Sequence, residues 1–239
     1  MRIAAARSSS ASRAFDAELE SDTTFVGVGL MIGFESGEKV PVIEGLATPR
    51  DEDQLKALGA ASATSGAVAL FHAVGITPEA QTLADAFGGR APERIIDITP
   101  ADIRRVLAHL SAVPDGTPLS AVCLGTPHFS RMEWDRLLAL LERNSAARIP
   151  IYVNTGRETY EGLVRDGKMP LIQAAGIRVV TDTCTYITAI LEKLDGAVMT
   201  NSGKWAHYAP GNIGATVAFG SLEDCAASTA AGSVVRLGR

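Results

Sequence analysis

Two cysteines, Cys123 in LSAVCLGTPHFS and Cys184 in RVVTDTCTYIT, stand where short apolar runs give way to Thr, Gly, Asp and Pro. Thiolates are soft ligands for iron and zinc. In an open α/β sheet, ligands bind in the crevice beyond the carboxyl ends of the strands. Two thiols delivered to that edge from separate strands therefore read as part of a metal or iron–sulfur site. They make only a part. The sequence has no CxxC, no CxxH and no tight His/Cys cluster, so a self-contained zinc site is not expected. The remaining cysteine, Cys225 in LEDCAAST, falls inside a helical pattern and reads as structural, since an isolated buried cysteine behaves as a small hydrophobe.

Four apolar runs end in polar, loop-forming residues: Cys123 to His128, Asn154 to Arg157, Thr181 to Cys184, and Thr200 to Lys204. Turn chemistry accounts for the Gly, Ser, Thr and Asn at any one of them. Taken together on one rim, they supply two thiols, several hydroxyls, an Arg, a Lys and a His. Ser202-Gly203-Lys204 reads as a short loop offering backbone N–H groups and an ammonium to a carboxylate or phosphate. It is not a nucleotide loop, because GxxxxGK[ST] is absent. His128, just past Gly125, is the histidine expected nearest the thiol. His72 reads as a core residue and His109 as a surface one.

The elements that must position these residues follow from pattern. From residue 94 onward, strands alternate with helices: RIIDI (94–98) as a buried strand, LSAVCLG (119–125), IPIYVNTGR (149–157), IRVVTD (177–182), AVMTN (197–201) and TVAFG (216–220). Thr99-Pro100-Ala101-Asp102 marks a helix start, with an N-cap, Pro at the first helical position and an acid in the first turn. Ser130 with Glu133, and Ser221 with Asp224, mark two more. A further helix is expected near 185–194. Spacings of roughly 20–30 residues between strands suit right-handed βαβ crossovers. Upstream, TFVGVGLMIGF (24–34) reads as β-rich, VPVIEGL (40–46) as extended, and 51–74 as a long helix that the small residues of Gly59–Gly66 interrupt. GITPEAQTLADAFGG reads as a loop and a short helix stopped by Gly88 and Gly89. The expected fold is α/β, a mainly parallel sheet flanked by helices.

The 239 residues carry a net charge of −5 and a pI near 5.4, which gives no general electrostatic support for a nucleic-acid or anionic-membrane partner. Three cysteines in a chain this long do not form a disulfide framework, so a reducing, cytoplasmic setting is expected. No apolar run approaches the ~20 residues that span a bilayer. Residues 1–20 are Arg- and Ser-rich without an apolar signal core and read as a disordered leader or the ragged start of a shortened reading frame. Residues 21–239 read as one α/β region, with a division into two subdomains near residue 115.

VPVIEGL, DQLKALGAASATSGAVALFHAVGITPEA, AVCLGTPHFS, VVTDTC, VMTNSGKWAHYAPGNIG and FGSLEDC, in this order over roughly residues 25–235, resemble aconitase X, the divergent branch of the aconitase superfamily. The last three before FGSLEDC are the most specific. The resemblance implies an aconitase-like three-layer sandwich and a hydro-lyase with an iron–sulfur cluster held by three cysteines, whose type (2Fe-2S, 3Fe-4S or 4Fe-4S) stays open. It implies dehydration of cis-3-hydroxy-L-proline, or alternatively of mevalonate 5-phosphate. The family's large-subunit ligand cysteines fall on Cys123 and Cys184, and a substrate-contacting lysine on Lys204, with Ser202 and His128 as further substrate-binding candidates. Family large subunits are much longer, and the match is to their C-terminal half. The N-terminal half, expected to carry the third cysteine, and the small swivel subunit, which supplies a catalytic serine in the family, are therefore expected partners. The chain alone is expected not to be a competent enzyme. A non-catalytic remnant and a small-anion-binding α/β module are the rival readings.

Overall fold

In a computed structural model, residues 2–5, 21–49, 51–111, 113–192 and 194–238 are described. The chain divides into two compact units, Met1–Ala108 and His109–Arg239.

The first unit holds strands β1 (Arg2–Ala5), β2 (Val42–Glu44), β3 (His72–Ala73) and β4 (Ile95–Ile98) in the order β3-β2-β1-β4, every described pairing parallel. Helices α1 (Asp22–Ser36), α2 (Glu52–Ser65), α3 (Leu83–Phe87) and α4 (Pro100–His109) connect them. Four expectations need correction. Residues 1–20 are not wholly a leader, because Arg2–Ala5 pair with both β2 and β4; residues 6–20 lie outside the described residues. Four residues are too short for a periodic signal, and only the backbone pairing reveals this strand. TFVGVGLMIGF is a helix, not a β-rich run. Its Val, Ile and Phe content favours strand, but Phe25, Val26, Val28, Leu30 and Ile32 are buried all round it. Gly29 and Gly33, one turn apart, let α2 approach closely: a Cβ on either would overlap the carbonyl oxygens of Leu58 or meet that of Ser62. Ser21 Oγ caps this helix, accepting from Thr24 N at 3.2 Å. The helix begun by Asp51 runs through Gly59 and stops at Ser65, short of the expected Val74, where Gly66 meets Gly33 backbone. Finally, β4 is an edge strand rather than a buried one, with Ile95 54% exposed.

The second unit holds β5 (Leu119–Phe129), β6 (Ile151–Thr155), β7 (Ile177–Thr181), β8 (Ala197–Thr200) and β9 (Val217–Phe219) in the order β7-β6-β5-β8-β9, all parallel. Its helices are α5 (Arg131–Glu142), α6 (Arg157–Arg165), α7 (Met169–Ala174), α8 (Gly203–Ile213) and α9 (Leu222–Ala231). The chain winds outward from β5 to β7, then returns to lay β8 on the other side of β5. Winding reverses between β5 and β8, which makes their carboxyl ends the switch point where open α/β sheets take ligands.

Alternation along the strands gives each sheet face its own cover. Val122, Leu124, Ile151, Val153, Ile177, Met199 and Ala218 cluster with Trp134 and Leu137 of α5, Leu163 of α6, Ile172 of α7 and Cys225 of α9. Cys123, Tyr152 and Val198 belong to the opposite face, against which α8 packs. The capping boxes Ser130–Glu133 and Ser221–Asp224 both form. This is the expected mainly parallel sheet with flanking helices.

One local expectation fails here. Among the described residues of 185–194 there is no helix. The segment makes one turn, in which Cys184 O accepts from Ile187 N at 3.0 Å and Thr188 N at 3.2 Å, and Thr183 Oγ1 lies 2.6 Å from Thr188 Oγ1. Its Thr and Ile residues are β-branched and stiff in a helix. Conversely, Gly203 to Ile213 is helical despite Pro210. One missing N–H does not stop a helix whose Trp205, Ala206 and Ala209 are buried on the sheet.

Candidate functional site at the β5–β8 switch point

Cys123 lies within β5, fully buried, with Tyr152 of β6 as its register partner. Beyond it the strand continues to Phe129, four residues past the expected end, with a register shift between Leu124 and Phe129. Gly125 makes this possible. Its φ is 80°, and a Cβ there would overlap the carbonyl oxygen of Asn154. Thr126 is then held from two sides: its Oγ1 accepts from Asn154 Nδ2 at 3.0 Å, and its carbonyl accepts from the Ser202 hydroxyl. Asn154 is fully buried, and its Oδ1 has no partner among the described residues.

Cys184 sits three residues past β7, half-buried, after Asp182, whose φ of 61° is unusual for a residue with a side chain. Arg157 holds Asp182 Oδ2 through Nε at 3.2 Å and through its terminal nitrogen at 2.6 Å. The next two residues connect this segment to α8. Thr185, also buried, accepts from Trp205 Nε1 at 2.9 Å. Tyr186 stacks on Tyr208 with ring centroids 5.7 Å apart. Burial pushes the Tyr186 hydroxyl up to about 12, with the neighbouring Cys184 and Tyr208 adding to the shift. Cys123 and Cys184 belong to the same unit, Cys123 within β5 and Cys184 just past β7, with β6 between the two strands.

Ser202 caps α8, its Oγ accepting from Trp205 N at 3.0 Å. Ser202-Gly203-Lys204 is therefore a helix start rather than a loop. That correction strengthens its use for an anion, because first-turn N–H groups have no intrahelical partner and the helix dipole favours negative charge there. Lys204 is half-buried at the second helical position. His128 is exposed near the end of β5, in contrast to buried Cys123. His72 is in β3, with its Nδ1 buried and without a partner among the described residues, and His109 is exposed at the end of α4.

The thiols differ in environment. Desolvation pushes Cys123 up to about 12, partly opposed by the Thr185 side chain. Burial and the nearby acids Asp224 and Glu223 raise Cys225 further, and its environment also includes Cys123. Reaction with iodoacetamide requires thiolate and access. In the folded chain at mildly alkaline pH, Cys184 is expected to be alkylated while Cys123 and Cys225 react only after unfolding; peptide mass mapping checks this. The sign for stability follows. A thiol pKa raised on folding favours the protonated native state, so its contribution is whole below the ordinary thiol value of 9.0 and is lost as pH rises toward about 12.

The aconitase X second-domain family model matches residues 11–108, and the third-domain model matches residues 119–231. The chain belongs to the aconitase X family. It is 37% identical over 215 residues to a cis-3-hydroxy-L-proline dehydratase of Pseudomonas aeruginosa, covering 88% of this chain and 37% of that protein. It is 37% identical over 201 residues to the phosphomevalonate dehydratase large subunit of Methanothermobacter thermautotrophicus, covering 83% of this chain and 48% of that one. The chain spans less than half the length of these curated relatives. Among solved structures, the holo-form of Thermococcus kodakaraensis aconitase X matches with a TM-score of 0.77 at 20% identity, over 95% of this chain and 54% of that one, a likeness of fold.

The iron–sulfur cluster expected from the resemblance is tested by the chemistry of the donors. Cys123 and Cys184 are soft donors and free of disulfides, which fits two ligand positions. No group of three or more His, Cys, Asp or Glu able to hold a metal ion occurs among the described residues. Among them, too, no helix is long and apolar enough to cross a membrane.

Proposed function

We propose that the chain is the C-terminal part of an iron–sulfur hydro-lyase large subunit that dehydrates cis-3-hydroxy-L-proline to a pyrroline carboxylate. The observation that carries this reading is the β5–β8 switch point, where the helix start at Ser202 and Lys204 lies in the same unit as two free thiols, Cys123 of β5 and Cys184 just past β7. Names of relatives support the substrate: two cis-3-hydroxy-L-proline dehydratases are 37% and 36% identical over most of this chain. Cys123 and Cys184 would be two of the cluster's ligands, and the bound iron supplies Lewis acidity toward the leaving hydroxyl.

The chain's own residues do the rest of the work on this side of the site. Lys204 and the first-turn N–H groups of α8 neutralise the substrate carboxylate, which makes the adjacent Cα–H more acidic. The buried face around Cys123 and Trp205 excludes water, so these charges act in a low-dielectric setting. Ser202 fixes both the helix start and Thr126. The third thiolate, the proton-abstracting base and the leaving-group acid belong to the N-terminal half and the swivel subunit. An ammonium at a helix start serves a phosphate equally well, and mevalonate 5-phosphate is the second reading, favoured by the archaeal relative at 37% identity.

Co-expression of the chain with a family N-terminal half and swivel subunit tests both readings. Loss of water from cis-3-hydroxy-L-proline, seen as formation of a cyclic imine, is the expected result. Turnover of mevalonate 5-phosphate alone would overturn the substrate assignment. A folded assembly without either activity, even with cluster bound, would favour the remnant.

A further inference from the structure

Helix α8 reaches both thiol-bearing strand exits with side chains from its first turns. Ser202, its cap, donates to the carbonyl of Thr126, three residues past Cys123. Trp205 Nε1 donates to Thr185 Oγ1 at 2.9 Å, and Thr185 follows Cys184 directly. Tyr208 stacks on Tyr186 with the rings 15° from parallel. Positions 205 and 208 are neighbours on the helix surface, so consecutive loop residues meet one face of a single helix. Trp205 and Thr185 are each 1% exposed. The loop depends on such a hold, because the described residues of 182–196 form neither helix nor strand and Ile187 is largely exposed. Arg157 also grips Asp182, but that pair is 72% and 51% exposed, and exposed ion pairs contribute little. The buried bond contributes more, since without it an indole donor would lie unpaired in the core.

We propose that α8 is a strut fixing the two thiol-bearing exits, in which Trp205 is the positioning residue that holds the Cys184 loop through Thr185. The inference rests on the reading of Cys184 as a cluster ligand given above. Loops with few buried contacts open locally at little cost, and a ligand carried on such a loop leaves its metal at each opening. The Trp205–Thr185 bond, backed by the Tyr186–Tyr208 stack, suppresses that opening at the two residues that follow the thiol.

The test is hydrogen exchange on the full chain. It is read at Ile187 N and Thr188 N, which donate to Cys184 O, and at Val122 N, which donates to Pro150 O at 3.0 Å within the sheet. Trp205→Phe removes the indole N–H and Thr185→Val removes its acceptor. Each should speed exchange at 187 and 188 about tenfold and leave Val122 unchanged. Thr185→Ser should exchange as wild type does. The double variant should be no faster than Thr185→Val, because two apolar partners leave no unpaired group behind. Exchange that quickens equally at Val122 marks a merely structural role and overturns the proposal, as do wild-type rates at 187 and 188 in both single variants. The second readout is iron release to a chelator from the chain assembled with a family N-terminal half and swivel subunit and loaded with cluster. Trp205→Phe should release iron severalfold faster than wild type. Release at the wild-type rate, with Cys184→Ala losing the cluster, overturns the positioning role and leaves the ligand reading standing. A full cluster in Cys184→Ala overturns the ligand reading and the positioning role with it. Should Trp205→Phe not fold, Thr185→Val takes its place in both measurements.

Discussion

Replacing Lys204 with Met is expected to raise the KM of the assembled enzyme for its hydroxy acid about thirtyfold, with a much smaller fall in kcat. The figure follows from a charge-assisted hydrogen bond of roughly 2 kcal/mol, converted at about 1.4 kcal/mol per factor of ten. Lys204 is half-buried at the second position of an 11-residue helix that begins at the β5–β8 switch point. Its ammonium and the free N–H groups of the first turn act on the same anion, so the methionine enzyme retains part of the binding. A contact made equally in the bound substrate and in the transition state changes KM and leaves kcat nearly untouched. Steady-state kinetics on matched assemblies measures this split. A thirtyfold fall in kcat at constant KM would place Lys204 in the chemical step instead of carboxylate binding.

Gly125→Ala is expected to destabilise the second unit by about 3 kcal/mol, adding a left-handed backbone penalty of ~1–2 kcal/mol to the overlap of the new Cβ with a neighbouring strand. The new carbon would overlap the Asn154 carbonyl oxygen and lie 2.9 Å from both the carbonyl carbon and the nitrogen of that residue. These are backbone atoms inside the sheet, so no side-chain rotation relieves the contact. Relief by separating β5 from β6 would break the Asn154 Nδ2 to Thr126 Oγ1 bond and draw Thr126 from Ser202. Chains of this size lose about 2–4 °C of melting temperature per kcal/mol, so thermal unfolding should fall by roughly 6–12 °C. An unchanged melt would mean that β5 does not pass Asn154 as described.

What the sequence discloses of this fold depends on how local each signal is. The second unit is legible because its strands are apolar runs bounded by caps such as Ser130 with Glu133 and Ser221 with Asp224, whose reciprocal bonds span only three residues. The switch point itself is not legible. That β8 returns to pair with β5 is a long-range fact, and it alone brings Ser202 to Thr126. The helix at 22–36 hides behind β-favouring residues, because Gly29 and Gly33 matter only once α2 lies across them. Pro210 likewise disguises α8, whose helicity is supported by burial of Trp205 and Ala209. At the site, Cys123, Cys184, Ser202 and Lys204 stand out by residue type at strand ends. Thr185, Trp205 and Asn154 do not, being ordinary core residues until their bonds are known. Spacing points to His128 as the histidine nearest the thiol, and in the structure His128 is exposed while Cys123 is buried.

The central claim is that Cys123 and Cys184 are ligands of one cluster completed from outside this chain. A cluster with only two thiolates leaves iron open to solvent and exchange. The most direct measurement is anaerobic reconstitution of the chain, alone and assembled with the N-terminal half and swivel subunit, with iron, acid-labile sulfide, absorbance and EPR determined together. Wild type should hold a cluster tightly only in the assembly. Cys123→Ala and Cys184→Ala should each lose its signal, and Cys225→Ala, buried in the apolar cluster with Leu222 and Met199, should keep it. A full cluster signal without Cys123 or without Cys184, or loss of the signal in Cys225→Ala alone, would contradict the account.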